Sequence, residues 1–282
     1  TGSWRGARYR RVHRDCEGKV TTASAQGKIN LVFQVGALRN GYHEVRSIYQ
    51  AIDLAETVTV RESNSWEIEV LGEVPNLELV PRDESNIVVR AAVELARSAG
   101  ITNPQPMKFT IQKRIPVAGG MAGGSADAAA ALVALNEHWC LGKSDAELAE
   151  VGAKLGADVP FALLGGTALG TGTGTQLTKL SDNPTLHILL IFSEFALSTK
   201  DVFQAFDSIR PAGDELAADL KENYSNRIGE NSLLPAALKL RPDLKSVLEL
   251  DLGIQGGFLS GSGPTVWFST PDHAEDEQAQ QR

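Results

Sequence analysis

Cysteine is nearly missing from this chain. Cys16 and Cys140 are the only two in 282 residues, and no metal-type spacing surrounds either. That arithmetic excludes a disulfide framework and a zinc scaffold, and it favours a reducing, cytoplasmic setting. Basic charge is also short, with 27 Lys and Arg against 35 Asp and Glu, a net charge of −8. A broad nucleic-acid surface is therefore not expected. No apolar run reaches the ~18 residues that a membrane span needs, so no membrane partner is expected either. Internal repeats are absent. What remains is a chain of 42% hydrophobic composition, enough for a substantial core in two domains or one bilobal domain.

The first twenty residues stand apart. Trp4-Arg5-Gly6-Ala7-Arg8-Tyr9-Arg10-Arg11 is basic and aperiodic. It lacks the apolar core of a secretory signal, and Asp15 and Glu17 interrupt it as a targeting sequence. Residues 1–20 read as a disordered basic tail. His13-Arg14-Asp15 matches the protein-kinase catalytic triplet. The Asn that should follow is Val20, no Asp-Phe-Gly comes after, and the glycine loop lies on the wrong side of it. The match is chance.

Strands and helices alternate irregularly after that, which predicts an α+β fold rather than a doubly wound sheet. Gly27–Val35 alternates as a strand, with Ile29, Leu31, Phe33 and Val35 on one face. Asn40-Gly41 is a hairpin signal, followed by strands over Glu44–Leu54, Thr57–Arg61 and Trp66–Leu71. A helix is expected over Asn86–Ser98, with Gly100 as its stop. Met107–Gln112 reads as a strand. Ser144-Asp145-Ala146-Glu147 is a capping box for a helix that Gly156 ends. Leu186–Phe192 reads as a buried strand, Asp201–Asp207 and Asn231–Leu240 as helical, and Thr265–Phe268 as a strand after a second glycine-rich loop.

The segment Pro116-Val117-Ala118-Gly119-Gly120-Met121-Ala122-Gly123-Gly124-Ser125-Ala126-Asp127 is the most informative. It joins the strand Met107–Gln112 to an Ala-rich helix. Glycines let bare N–H groups approach a ligand, and a helix start adds unpaired donors with roughly half a positive charge. That chemistry binds phosphate. The loop is neither of the common nucleotide motifs: Ser125-Ala126 replace the Lys-[Ser/Thr] of the P-loop, and Met121 fills a required glycine of the dinucleotide fingerprint. The alternative is a tight turn with close helix packing.

Three further groups carry two readings each. Lys28 and Asn30 share a strand face opposite an apolar one, and spacing alone favours a solvated surface. Asp158, two residues before Pro160, reads as ordinary helix-capping grammar or as a base for an alcohol. Tyr42-His43 fit a half-buried strand face, or stacking and hydrogen bonding to a heterocycle.

Taken in order, Gly27-Lys28-Ile29-Asn30-Leu31, Asn40-Gly41-Tyr42-His43-Glu44, the loop Pro116–Asp127, Leu155-Gly156-Ala157-Asp158-Val159-Pro160 and Ser260-Gly261-Ser262-Gly263-Pro264-Thr265 resemble the GHMP small-molecule kinases. The similarity runs from about Val20 to about Phe268. The Gly-Tyr-His element resembles the branch, of actinobacterial type, that phosphorylates a cytidine diphosphate-linked methylerythritol in isoprenoid precursor synthesis. The resemblance implies a two-lobed fold: an N-terminal ATP-binding lobe over 21–180, like ribosomal protein S5 domain 2, and a ferredoxin-like substrate lobe over 181–282. It implies ATP and Mg2+ as cofactors, two small-molecule substrates, and a monomer or weak homodimer.

The roles that follow are also implied by the resemblance. Pro116, Ala118, Gly119, Gly120, Met121, Ala122, Gly123, Gly124, Ser125 and Ala126 hold the ATP phosphates, with Ser125 near the metal. Asp158 is the base for the C2 hydroxyl, Lys28 lies beside it, and Asn30 positions the substrate. Tyr42 and His43 hold the cytosine, Phe203 supplies the opposite stacking face, and Ser198 and Thr199 line the substrate segment. Two departures stand out. Gly172-Thr173-Gly174-Thr175 has Thr where the family usually has Glu. The second lobe looks incomplete, since the family usually continues through a helix and a closing strand, so an unpaired edge is expected at Thr265–Ser269. Another GHMP kinase, of homoserine or mevalonate type, and a catalytically weak nucleotide-binding remnant are the competing readings.

Overall fold

A long hairpin organises the larger of two sheets. The computed structural model describes residues 10–14, 20–39, 41–181, 186–209 and 216–270. The remainder of the N-terminal tail and the polar end after Pro271 lie outside the described residues. The strand β1 (Arg10–Arg14) pairs antiparallel with β2 (Val20–Arg39), and β2 pairs with β3 (Tyr42–Glu62). The tail expected over 1–20 is thus corrected at Arg10–Arg14, where the backbone of β2 offers an open edge to pair with. Arg39 pairs with Tyr42 across the predicted turn, and Gly41 takes φ +82°, a conformation open to glycine without steric cost.

The remaining elements follow in order: β4 (Glu67–Leu71), α1 (Ile87–Ser98), β5 (Met107–Gln112), α2 (Gly123–His138), α3 (Asp145–Leu155), α4 (Val159–Leu164), β6 (Thr167–Thr171) and β7 (Gln176–Lys179). Their strands complete the sheet in the order β1-β2-β3-β5-β4, with β6 joining β3 and β7. Only β4 and β5 run parallel. The two strands expected over Glu44–Leu54 and Thr57–Arg61 are one. Ala55 and Glu56 continue the ladder against Gln26 and Ala25, and Glu56 is fully buried with a partner.

The helices α1–α4 share the core with this sheet. Asn86 caps α1 through the Val88 N–H, and Ser144 and Glu147 form the predicted capping box of α3. α2 has no polar stripe: every residue from Ala126 to Leu135 is buried. Its alanines let α1 and the sheet approach closely on both sides.

The second sheet is built from β8 (His187–Ile191), followed by α5 (Thr199–Ile209), α6 (Leu220–Asn223), α7 (Leu234–Leu240), α8 (Leu244–Leu248), β9 (Gln255–Leu259) and β10 (Val266–Thr270). The strand order is β8-β10-β9, antiparallel throughout. Two expectations are corrected here. β10 is the central strand, not an unpaired edge, and Val266, Trp267 and Phe268 are buried. β8 is one of the two edges, and it is only half-buried, with Leu189 exposed. Both errors have one cause: apolar content reports burial only after pairing order is known. No helix among the described residues is long and apolar enough to cross a membrane.

Candidate active site

The glycine loop closes the gap between β5 and α2 under visible strain. Ala118, Gly120 and Ala122 all take left-handed backbone angles, φ +54°, +78° and +59°. An alanine there costs about 1–2 kcal/mol, so surrounding contacts must hold the loop. The Lys28 N–H donates to the Met121 carbonyl at 3.1 Å, and the Thr265 N–H donates to that of Gly119 at 3.3 Å. Met121 is buried, which explains why an apolar side chain interrupts the glycines. Ala122, the N-cap of α2, provides no side-chain cap. Gly124 is exposed, and a Cβ there would meet nothing within 4 Å. Helix-start donors and open space therefore occur together, as phosphate binding requires.

The glycines divide by purpose. A side chain on Gly120 would overlap the Ser260 carbonyl oxygen, and one on Gly123 would press on Ile115 and on Glu56 at 3.3 Å. These two serve packing. Gly124 alone faces open space. The tight-turn reading thus holds at Gly120 and Gly123, while Gly124 leaves room for a ligand.

Lys28 and Asn30 do not lie on a solvated face. Their exposures are 5% and 3%. The segment 260–265 covers that face, and only the tertiary fold brings it there. Lys28 Nζ donates to Asn30 Oδ1 at 2.7 Å and to the Gly120 carbonyl at 2.9 Å. Asn30 Nδ2 donates in turn to Ser47 Oγ at 2.7 Å, and that hydroxyl to the Val32 carbonyl. The lysine is therefore aimed and has no freedom to swing. Burial pulls its pKa below the usual lysine value, and the nearby Asp158 charge opposes that shift.

Asp158 does occupy the N-cap position of α4, with Pro160 just inside the helix, yet its side chain makes no capping hydrogen bond. The position is a cap, but the carboxylate is not spent on capping. Tyr49, which sequence reasoning missed, forms a wall of this pocket. It is buried against Phe161, with ring centroids 5.0 Å apart, and Lys28 Nζ lies 5.9 Å from its ring. Burial and then the Asp158 charge push its phenol pKa well up.

The second glycine loop completes the pocket. Ser260 Oγ donates to the Gly120 carbonyl at 3.0 Å. Gly261 takes φ +57°, and a Cβ there would stand 3.0 Å from Lys28 Nζ. Asn231 fastens this loop by donating to the Leu259 and Gly261 carbonyls at 3.0 and 2.8 Å. Gly261 was quoted from the sequence only as part of the segment Ser260–Thr265, with no role of its own, and Asn231 only as the start of a helical stretch. At Gly172-Thr173-Gly174-Thr175 the chain makes the turn between β6 and β7. The Gly172 carbonyl accepts from the Val45 N–H, and the Thr173 and Thr175 hydroxyls face each other at 3.3 Å.

Tyr42, His43 and Phe203 do not form a sandwich. Tyr42 is 69% exposed. Phe203 instead faces the His43 ring at 5.3 Å, with Phe206 at 5.8 Å. His43 Nδ1 donates to the Gly36 carbonyl at 3.0 Å, and Nε2 lies 3.1 Å from Asp207 Oδ1. Both ring nitrogens are thus engaged within the chain. Ser198 Oγ accepts from the Asp201 N–H at the start of α5, and Thr199 Oγ1 lies 3.0 Å from Ser262 Oγ. Those two side chains link α5 to itself and to the second glycine loop.

The sequence profile described as GHMP kinases N terminal domain matches residues 86–166, from the cap of α1 to the start of β6. The 4-diphosphocytidyl-2-C-methyl-D-erythritol kinase of Mycolicibacterium gilvum is 42% identical over 265 residues, which cover 88% of this chain and 81% of that protein. The chain belongs to the 4-diphosphocytidyl-2-C-methyl-D-erythritol kinase family of GHMP kinases. It is an ATP-dependent small-molecule kinase. A crystal structure of 4-(cytidine 5′-diphospho)-2C-methyl-D-erythritol kinase matches with a TM-score of 0.68 at 29% identity, covering 92% of this chain and 94% of that one. Homoserine kinase from Cytophaga hutchinsonii shares the fold, with a TM-score of 0.65 at 18% identity over 96% of this chain and 91% of that one. The two sheets described above are those of this α+β fold.

Proposed function

We propose that this chain transfers the γ-phosphoryl group of ATP to the C2 hydroxyl of 4-diphosphocytidyl-2-C-methyl-D-erythritol, giving the 2-phosphate. The division at about residue 180 then separates an ATP lobe from a substrate lobe. The observation that carries the reading is the buried Lys28 ammonium, held between the Gly120 carbonyl and Asn30 and within the field of Asp158. A cation so placed joins the phosphate loop to a carboxylate that no cap consumes.

Phosphoryl transfer needs alignment and charge stabilisation more than covalent help. Alignment of two reactants supplies roughly 7–11 kcal/mol of the barrier. Asp158 accepts the hydroxyl proton as the oxygen attacks. Lys28 favours the ionised carboxylate and the developing alkoxide. Asn30, fixed by Ser47, keeps the ammonium in place. The N–H groups at the start of α2 would hold phosphate oxygens. The Ser125 hydroxyl, an oxygen donor in the first turn of that helix, would be the side chain to hold Mg2+. Mg2+ would neutralise phosphate charge there. Phe203 from the substrate lobe and Tyr42 from the start of β3 offer ring faces to the cytosine. His43 acts as a braced wall beside them, with Ser198 and Thr199 at the rim. The test is phosphate transfer from ATP to the cytidine-linked alcohol, measured beside the same alcohol without cytidine. Equal rates on both would refute the cytidine specificity, and no transfer to either would refute the reaction.

A further inference from the structure

Beneath the glycine loop lies a charge cluster that the reaction just described does not use. Lys113 Nζ sits 2.7 Å from Glu56 Oε1 and 2.7 Å from Asp127 Oδ2, and the three side chains are 2%, 0% and 5% exposed. Two carboxylates share one ammonium, so the cluster is short of positive charge. Asp127 Oδ1 is buried and meets no donor among the described residues. A buried ionic trio of this kind is a poor way to gain stability, because desolvation offsets the attraction. Burial pushes the Asp127 carboxyl up to about 7 against the pull of Lys113, and Glu56 adds to the rise.

Its location supplies a reason. Lys113 directly follows β5, and Asp127 is in the opening turns of α2. Glu56, on β3, also accepts from the N–H groups of Arg114 at 2.9 Å and Ile115 at 3.2 Å, which lead into the loop. A Cβ on Gly123 would come within 3.3 Å of Glu56 Oε1, so the helix start rests on the cluster. The Lys113 backbone is held as well, donating to the Leu71 carbonyl at 2.7 Å. Both ends of the segment 114–126 are therefore tied to one point of the sheet. Between them, Ala118, Gly120 and Ala122 hold left-handed angles. Strained backbone persists only where its surroundings over-determine it.

We propose that Lys113, Glu56 and Asp127 are positioning residues for phosphoryl transfer: the lysine ties Asp127 to Glu56 and so sets the span that the phosphate-binding loop must bridge. The proposal rests on the loop being the ATP site. It assigns the trio no contact with substrate. Cutting the tie lets the helix start drift from the strand end, which weakens ATP and leaves the alcohol site untouched.

The experiment compares Asp127→Ala, Asp127→Asn and Glu56→Gln in the full chain, using direct calorimetric binding of Mg-ATP, KM for each substrate, and thermal melts. Asp127→Ala removes the acceptor; Asn retains an oxygen for Lys113. The expected result is a rise of about ten-fold in Kd and KM for ATP in Asp127→Ala, equal to about 1.4 kcal/mol, with KM for the alcohol essentially unmoved and most of the ATP affinity restored in Asp127→Asn. A lower melting temperature with unchanged ATP affinity would make the trio structural only and overturn the proposal, as would equal rises in both KM values. If Asp127→Ala does not fold, Glu56→Gln decides by the same split, since one amide cannot accept from all three donors as the carboxylate does. Direct ATP binding keeps this separate from the proposed reaction: a chain that binds ATP but does not phosphorylate the cytidine substrate fails there and still decides the clamp here.

Discussion

The carbonyl oxygen of Gly120 accepts a hydrogen bond from the Ser260 hydroxyl at 3.0 Å. Two glycine loops, 140 residues apart in the chain, meet at that atom, and Lys28 Nζ reaches the same oxygen at 2.9 Å. One consequence separates the glycines by experiment. Gly120→Ala must hold φ near +78° and push against the Ser260 backbone, so it should cost stability by about 2–4 kcal/mol. Gly124→Ala meets open space and should leave stability unchanged or raise it by about 0.4–1 kcal/mol, while weakening ATP because its methyl enters the phosphate space. Melts and ATP titrations on both variants check this. Equal stability losses would contradict the division of roles.

Asp158→Asn tests the base. Asn caps helices as well as Asp, and no capping bond is lost here, so the melt should stay within about 0.5 kcal/mol of wild type. Turnover should fall by about 10²–10⁴-fold, the usual worth of a positioned base, with ATP affinity retained. A folded Asn variant with near-normal kcat would remove Asp158 from the mechanism.

Lys28 makes opposite demands on stability and activity as pH rises. Its pKa is lower in the folded chain than the ordinary 10.5, because burial disfavours the charge. Between those two values the unfolded chain binds more protons than the folded one, so by linkage this residue's contribution to stability increases with pH across that interval. Activity should decline over the same interval as the ammonium is lost. Urea melts and pH–rate profiles of wild type and Lys28→Met provide the comparison: the variant should lose the stability gain on the alkaline side. An alkaline limb that is unchanged in Lys28→Met would show that the ammonium is not needed.

In the proposed reaction, Phe203 and the His43 brace govern base recognition. Stacking of a base on an aromatic ring is worth roughly 1–3 kcal/mol. Phe203→Ala should therefore raise KM for the cytidine substrate by about ten-fold, with ATP parameters nearly constant. Both His43 nitrogens are already engaged, by Gly36 and Asp207. His43→Ala should accordingly act through a loosened wall, raising KM for cytidine and uridine analogues alike. A selective loss of cytidine over uridine would instead assign the ring a direct hydrogen bond to the base.

The sequence was most informative where structure depends on near neighbours. The capping box Ser144–Glu147, the hairpin turn at Gly41 and the passage from glycine loop to Ala-rich helix depend on groups within a few residues of each other, and all were legible. So was the α+β class, because the order of strand and helix patterns constrains the layers. Motif order pointed to the family.

Other features follow from contacts between distant parts of the chain. Lys28 and Asn30 show the charge pattern of a surface face, and only the covering segment 260–265 buries them. Thr265–Ser269 has the composition of a core strand, but its central place between β8 and β9 depends on pairing that alternation does not encode. Gly261 shapes the space around Lys28, and Asn231 anchors the loop that holds Gly261, across separations that no local pattern records. The trio Glu56, Lys113 and Asp127 is three ordinary charges in the sequence. Desolvation, which is decided by everything packed around a group rather than by its neighbours in the chain, makes it a buried cluster under the site. Local geometry and motif order were thus determined by the sequence alone, while burial, pairing order and the electrostatic state of the site were decided by the tertiary structure.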